Sequence, residues 1–387
     1  MPGGDRLHRG GARLTAFAAL PTPALLLDEP RLTRNIARIG DRVKSLGARL
    51  RPHIKTHKCI EVGRRQIAGQ FGGITVSTLA EASVFAAAGF GDITYAVPIE
   101  PGKFAAVVAL AASGVRMAVI TDDVSIPEPL SAAAARARVA LDVFVKVDCG
   151  YHRCGVDPEG PALLETVQRI GAQGSLRFAG LLTHAGHSYH VRGAEALRAV
   201  AIQEREVMRA AAARLAALGI SVPIVSVGST PSITQVDHLD GVHEVRVGNY
   251  AFFDATQATL GSCTFDDCVL TVLASVVHRD RARGRVIIDA GAIALSKDRG
   301  AVEQDPAAGY GRVLDIDGAD LGLRVSSVSQ EHGIVSVADS ALLDRLPVGA
   351  RVRVLVNHSC LTAAQFDAFL VHQGHQVVDR WAIHRGW

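Results

Sequence analysis

The six cysteines among 387 residues include no CxxC pair, which argues against a disulfide framework or a cysteine-only metal cluster and points to reduced thiols in the cytoplasm. Cys149 and Cys154 flank a turn, Cys263 and Cys268 lie near an expected domain boundary, and the ordinary role of all four is that of a small buried residue. An excess of charge of either sign is also missing. The 41 basic and 38 acidic residues leave a formal net charge of +3, with no basic stripe interleaved with aromatics, so no nucleic-acid partner is expected. No run of about 18 apolar residues occurs, and no membrane span is expected. At the N-terminus the apolar run from Leu14 to Leu20 is short, broken by Thr15 and without a signal-cleavage pattern, which again suggests a cytoplasmic protein whose first dozen residues are mobile. Solenoid repeats are lacking, and the only low-complexity tract is Ala132 to Ala135.

What is present is a rhythm. With 48% hydrophobic and 20% charged residues, the chain has apolar surface for one large domain plus a smaller one. From Pro23 onward short β-rich runs alternate with longer alanine-rich helical ones, the pattern of a parallel sheet wrapped in helices. Nine strands are expected before residue 262: Ala24 to Leu27, Ala48 to Ile54, Gly73 to Ser77, Asp92 to Ala96, Arg116 to Ile120, Ala140 to Val147, Phe178 to Leu182, Ile224 to Val227 and Glu244 to Val247. A closed (β/α)8 TIM barrel takes eight strands in roughly 250 residues, which fits residues 30–262 if the first strand pairs elsewhere. After Ser262 the runs are β-rich with short connections. Residues 263–387 therefore read as a mainly antiparallel β-domain, to which strand 22–28 is added.

Residues that end barrel strands face the catalytic mouth. Lys55 leaves the first barrel strand on parity with His53, one residue past apolar Ile54. Burial would lower its pKa and yield a neutral amine able to attack carbonyls, so it is a candidate Schiff-base lysine. Taken alone, a solvated surface lysine is the commoner case. Other strand ends supply Ser77 and Thr78, Asp148 to Arg153, Thr183 to Tyr189, Gly228-Ser229-Thr230 and Gly248-Asn249-Tyr250. The last two groups offer what a phosphate needs, namely free N–H groups, a hydroxyl and room for close approach, although Gly-Ser and Gly-Asn are also ordinary turn dipeptides. Far downstream, His358 and Cys360 are two apart. In an extended segment both would face one way and could share a metal, with open positions left for water or substrate. A thiolate favours zinc over manganese or magnesium.

These residues together carry a resemblance. Arg51-Pro-His-Ile-Lys-Thr-His-Lys58, Gly73 to Ala82, Asp148 to Gly155, Thr183-His-Ala-Gly186, Ser226 to Pro231, Val247-Gly-Asn-Tyr250, Gln330-Glu-His-Gly333 and Asn357-His-Ser-Cys360 stand in the order found in fold-type III pyridoxal-phosphate enzymes. Within them the chain resembles the eukaryotic-type D-serine dehydratases and D-threo-3-hydroxyaspartate dehydratases, with the D-threonine aldolases as close relatives. The likeness runs from Thr22 to Trp387. It implies an alanine-racemase-type barrel plus β-domain, pyridoxal 5'-phosphate on Lys55, and Arg153 beside the cofactor's phenolic oxygen. It places Ser229, Thr230, Gly248 and Asn249 at the phosphate, His53, Tyr189 and Tyr250 near the ring, and His358 and Cys360 on a divalent metal. Glu331 and His332 are expected at most to brace that metal, and a homodimer is implied by the resemblance alone.

The expected reaction is β-elimination from a β-hydroxy D-amino acid, with Lys55 as base, the cofactor ring as electron sink and the metal as Lewis acid at the departing hydroxyl, giving a keto acid and ammonia. Retro-aldol cleavage to glycine and an aldehyde is the rival, with His57, His184, His187 and His190 as possible bases. The aldolase branch usually shows H-x-D where this chain has His358-Ser-Cys360, which favours elimination. A racemase lacks support, because no tyrosine base stands near Asn357 to Thr362. A non-catalytic cofactor carrier would have no β-domain.

Overall fold

The computed structural model describes residues 15–387, so the expectation for the first dozen residues lies outside it. Eight parallel strands form one sheet: Arg49–Leu50, Ile74–Val76, Asp92–Pro98, Arg116–Thr121, Leu141–Lys146, Leu176–Leu182, Ile224–Val227 and Glu244–Val245. The first pairs with the eighth, and from there the order descends to the second. A single bridge from His53 to Thr75 joins the second strand back to the first, where the Thr75 N–H donates to the Pro52 carbonyl at 2.9 Å. The result is the (β/α)8 barrel that the alternation predicts. Strand Leu141–Lys146 is buried along its whole length, as a strand flanked by helices on one side and the barrel interior on the other must be.

Local chemistry sets the helix starts that carry the strand ends. Asp28 caps helix Glu29–Ser45 by accepting the Arg31 N–H, with Pro30 in the first turn. Thr78 and Glu81 form a reciprocal capping box at helix Leu79–Ala87, and Glu81 also accepts the Ser77 N–H. Below the mouth, the barrel interior is charged rather than apolar. Glu244 accepts from Arg51 at 2.8 Å and from Ser226 at 2.7 Å, and Arg51 also reaches Asp92. Arg246 donates to Ser226 and to the Thr183 carbonyl.

The second sheet has ten strands, nearly all antiparallel. Strand Ala24–Asp28 lies in it, antiparallel to Leu270–Asp280 and parallel to Ala368–Gln373. Two local expectations are revised. The run Ala48 to Ile54 is ladder-paired only at Arg49–Leu50 and bridged at His53, because the chain then tightens into a 3-10 turn at Ile54–Thr56. Lys55 thus sits on a turn, not on a strand. His358 and Cys360 are not in an extended segment either: His358 is extended, but helix Ser359–Ala363 begins directly after it and carries Cys360 in its first turn.

Candidate active site

The barrel mouth opens into a cavity of about 550 Å³ whose walls include Lys55, His53, Arg153, Tyr189, Ser229, Thr230, Gly248, Asn249, His358 and Cys360. Tyr250 is not among them. The 3-10 turn Asn249–Ala251 sends its ring into the core, where it is fully buried with its hydroxyl unpartnered. Among the described residues no aspartate or glutamate lines this cavity, whereas Lys55, Lys146, Arg153 and Arg246 all do.

Lys55 is open to the cavity yet enclosed by its walls, and that enclosure lowers its pKa, with Cys360 opposing the shift and Arg153 adding to it. His53 accepts the Lys55 N–H at 3.5 Å through Nδ1 and meets the Ser77 hydroxyl through Nε2 at 3.3 Å. Burial, then Lys55, holds the His53 pKa well below its ordinary value. The His184 Nδ1–H donates to the Gly228 carbonyl at 3.0 Å, which fixes the tautomer and leaves Nε2 as an acceptor. Burial and Lys55 likewise keep this ring neutral.

Beside His184, Gly228 has φ +129°, a left-handed conformation that favours glycine. A Cβ on Gly248 would come within 2.6 Å of the His53 carbonyl oxygen. The Thr230 hydroxyl is buried without a partner, and among the described residues no hydrogen bond is made by the N–H groups of Thr230, Gly248 or Asn249. A free hydroxyl and three free N–H groups around a bare glycine fit the phosphate of pyridoxal phosphate. Ser229 is more committed, its hydroxyl bonded to Ser188 at 2.8 Å and to Ser232 at 2.9 Å.

His358 and Cys360 meet the cavity from the β-domain. His358 Nδ1 is 2.6 Å from Asp298 Oδ2, which leaves Nε2 for a cation in the carboxylate–histidine arrangement common at zinc. Burial disfavours the His358 imidazolium, but Asp298 and Cys360 outweigh it and raise its pKa well above the ordinary value. Cys360 is pushed up by burial and drawn down further by His358, Thr56 and Lys55, so its net shift is toward thiolate. Among the described residues no group of three or more His, Cys, Asp or Glu side chains could hold a metal. Glu331 and His332 are exposed at a turn, away from this cavity, and Asp298 does the bracing instead.

Three residues of the site escaped the sequence reading. Lys146 ends the fifth strand and is 5% exposed, its side chain makes no hydrogen bond or ion pair among the described residues, and burial lowers its pKa. Its signal was a charge closing an apolar strand. Burial brings the Arg246 guanidinium down to about 10. Asp298 lies 60 residues before His358 on an irregular loop with no periodic signal.

Known proteins share this arrangement across the whole chain. Residues 27–256 match the alanine racemase N-terminal domain family, and residues 269–372 match the serine dehydratase domain. The chain belongs to the fold-type III pyridoxal-phosphate enzymes. Among members of the family, it is 41% identical to the D-threo-3-hydroxyaspartate dehydratase of Delftia sp. (strain HT23), over 95% of this chain and 98% of that one. It is 33% identical to the D-serine dehydratase of Dictyostelium discoideum, over 95% and 98%. It is 31% identical to a D-threonine aldolase of Arthrobacter sp., over 95% and 93%. In three dimensions it superposes with a TM-score of 0.93 on a cysteine-to-alanine mutant of D-threo-3-hydroxyaspartate dehydratase in the metal-free form, at 40% identity over 96% of this chain and all of that one. Among the described residues no helix is long and apolar enough to cross a membrane.

Proposed function

We propose that this protein is a pyridoxal-phosphate- and zinc-dependent lyase that removes water from β-hydroxy D-amino acids, releasing a keto acid and ammonia. The observation that carries this reading is the meeting of Lys55 and the His358–Cys360 pair in one cavity, close enough that each side shifts the proton affinity of the other. Residues 30–262 would hold the cofactor through Lys55, Thr230, Gly248 and Asn249, with Arg153 beside it. Residues 263–387 would hold the metal through His358 Nε2 and Cys360 Sγ. Bound pyridoxal phosphate supplies an electron sink for a negative charge developing at the substrate's Cα. A bound zinc supplies Lewis acidity at the β-oxygen.

The chain's own side chains do the rest. Enclosure lowers the Lys55 pKa, which favours the neutral amine that would take the Cα proton. Arg153, poised 5.1 Å over the Tyr151 ring, adds positive charge that disfavours the protonated amine. Asp298 holds the His358 ring in one tautomer. Cys360, shifted toward thiolate, suits zinc rather than manganese or magnesium. The resemblance further supports a homodimer, and six unpaired cysteines suit the cytoplasm.

A second reading, retro-aldol cleavage, draws support from the neutral His184 ring beside Lys55, which offers a base for a β-hydroxyl. Incubating the protein with D-serine, D-threo-3-hydroxyaspartate and D-threonine separates the two. Keto acid plus ammonia is expected, with loss of turnover on chelation and recovery with zinc. Glycine plus an aldehyde would transfer the assignment to the aldolase class.

A further inference from the structure

Helix Ala194–Ala217 packs on the barrel with a stripe of Leu197, Val200, Ala201, Met208, Ala211 and Leu215, and the helical spacing puts Glu204 in the middle of it. Glu204 is 2% exposed and forms no ion pair among the described residues. A carboxylate in such a stripe is costly, and an apolar residue would pack the helix better. Its partners explain its presence. Oε1 accepts the N–H of Ala185 at 3.0 Å and the N–H of Gly228 at 3.0 Å, while Oε2 meets the Ser232 hydroxyl at 3.2 Å. Ala185 directly follows His184, and Gly228 opens the Gly-Ser-Thr turn. One oxygen therefore ties the end of the sixth barrel strand to the end of the seventh, on both sides of the His184–Gly228 hydrogen bond. The Ser232 hydroxyl passes the restraint on to Ser229 at 2.9 Å.

We propose that Glu204 is a positioning residue that clamps these two strand ends and so sets the shape of the Gly228-Ser229-Thr230 turn for the cofactor's phosphate. This rests on the cofactor reading above. The clamp works through an acceptor oxygen aimed at two backbone N–H groups, a requirement a glutamine carbonyl meets, with its NH2 donating to Ser232. Burial raises the Glu204 pKa against the pull of those N–H groups, in keeping with a role that does not need the charge.

The test compares two ligands that differ only in the phosphate. Full-length protein stripped of cofactor is titrated with pyridoxal phosphate and with pyridoxal, followed by visible absorbance. Glu204→Met, which keeps the volume and removes the acceptor, is expected to weaken pyridoxal phosphate about thirtyfold, equivalent to ~2 kcal/mol, and pyridoxal less than about threefold. Glu204→Gln is expected to stay within about threefold of wild type for both. If Glu204→Met is insoluble, Glu204→Asp withdraws the oxygen by one methylene and is read by the same ratio. Equal losses for the two ligands, no loss for either, or a Gln variant as weak as the Met variant would each overturn the proposal. A wild-type protein that binds neither ligand overturns the cofactor reading, and the proposal with it.

Discussion

Two polar regions adjoin at Arg246 in the barrel, and they are built on opposite rules. In the interior below the mouth nearly everything is paired: Arg51 with Glu244 and Asp92, Glu244 with Ser226, and Arg246 with Ser226 and the Thr183 carbonyl. At the mouth the groups are left open. Among the described residues the Lys146 side chain has no partner, the Thr230 hydroxyl is orphaned, and Lys55 shares the cavity wall with Lys146, Arg153 and Arg246. Two histidines repeat the contrast. His57 is buried with Nε2 on Gln66 and Nδ1 accepting from Cys59, whereas His184 satisfies only one nitrogen. Here the paired groups hold the barrel interior together, and the open ones that line the mouth leave donors and acceptors for an occupant.

That contrast can be broken from either side. The largest effect is expected for Lys55→Ala, which should cut turnover by at least about a thousandfold and abolish the cofactor's visible band while leaving thermal unfolding of the stripped protein nearly unchanged. Glu244→Ala should act the other way. It leaves the buried Arg51 with Asp92 as its remaining carboxylate and takes a nearby negative charge from Arg246, and should cost about 3 kcal/mol in denaturant unfolding. His57 tests the paired class by pH. Burial, offset in part by Gln66 and Cys59, depresses its pKa to about 4, below the ordinary 6.5. The unfolded chain therefore takes up this proton first, so the stability it contributes is complete above pH 6.5 and falls by about 3 kcal/mol as pH drops to 4. A His57→Gln variant should show a correspondingly shallower acid profile in urea titrations at stepped pH. The smallest effect is expected at Thr230→Val, which removes the orphaned hydroxyl. It should shift unfolding of the stripped protein by less than about 1 kcal/mol while weakening pyridoxal phosphate about tenfold, and a stability loss with no change in binding would move Thr230 into the paired class.

The sequence announced the open groups better than the closed ones. Lys55, Thr230, Gly248 and Asn249 stand at strand ends, and strand ends can be counted from the alternation of β-rich and helical runs. His358 and Cys360 were found by spacing, but on the wrong local geometry: a two-residue interval reads as one face of a strand, and helix Ser359–Ala363 begins between them. Tyr250 shows the limit of adjacency, since one step along a 3-10 turn carries a ring from the cavity wall to the core. Asp298, Lys146 and Glu204 were illegible for a different reason. Asp298 and Glu204 act across sequence separations that no local pattern records, whereas Lys146 and Glu204 each leave a faint mark, a charge closing an apolar strand and an acid interrupting an apolar helical stripe.

The Asn249 side chain bonds on both sides of its turn. Its side-chain NH2 donates to Asp254 at 2.8 Å and to the Ser359 hydroxyl at 3.0 Å, and Asp254 in turn accepts the Ser359 N–H at 3.0 Å. The turn that would cradle a phosphate is thus wired to the short helix that presents Cys360. Occupancy on one side restrains the backbone that the other side must order, so vitamin and cation should each tighten the grip on the other, by the same factor in both directions.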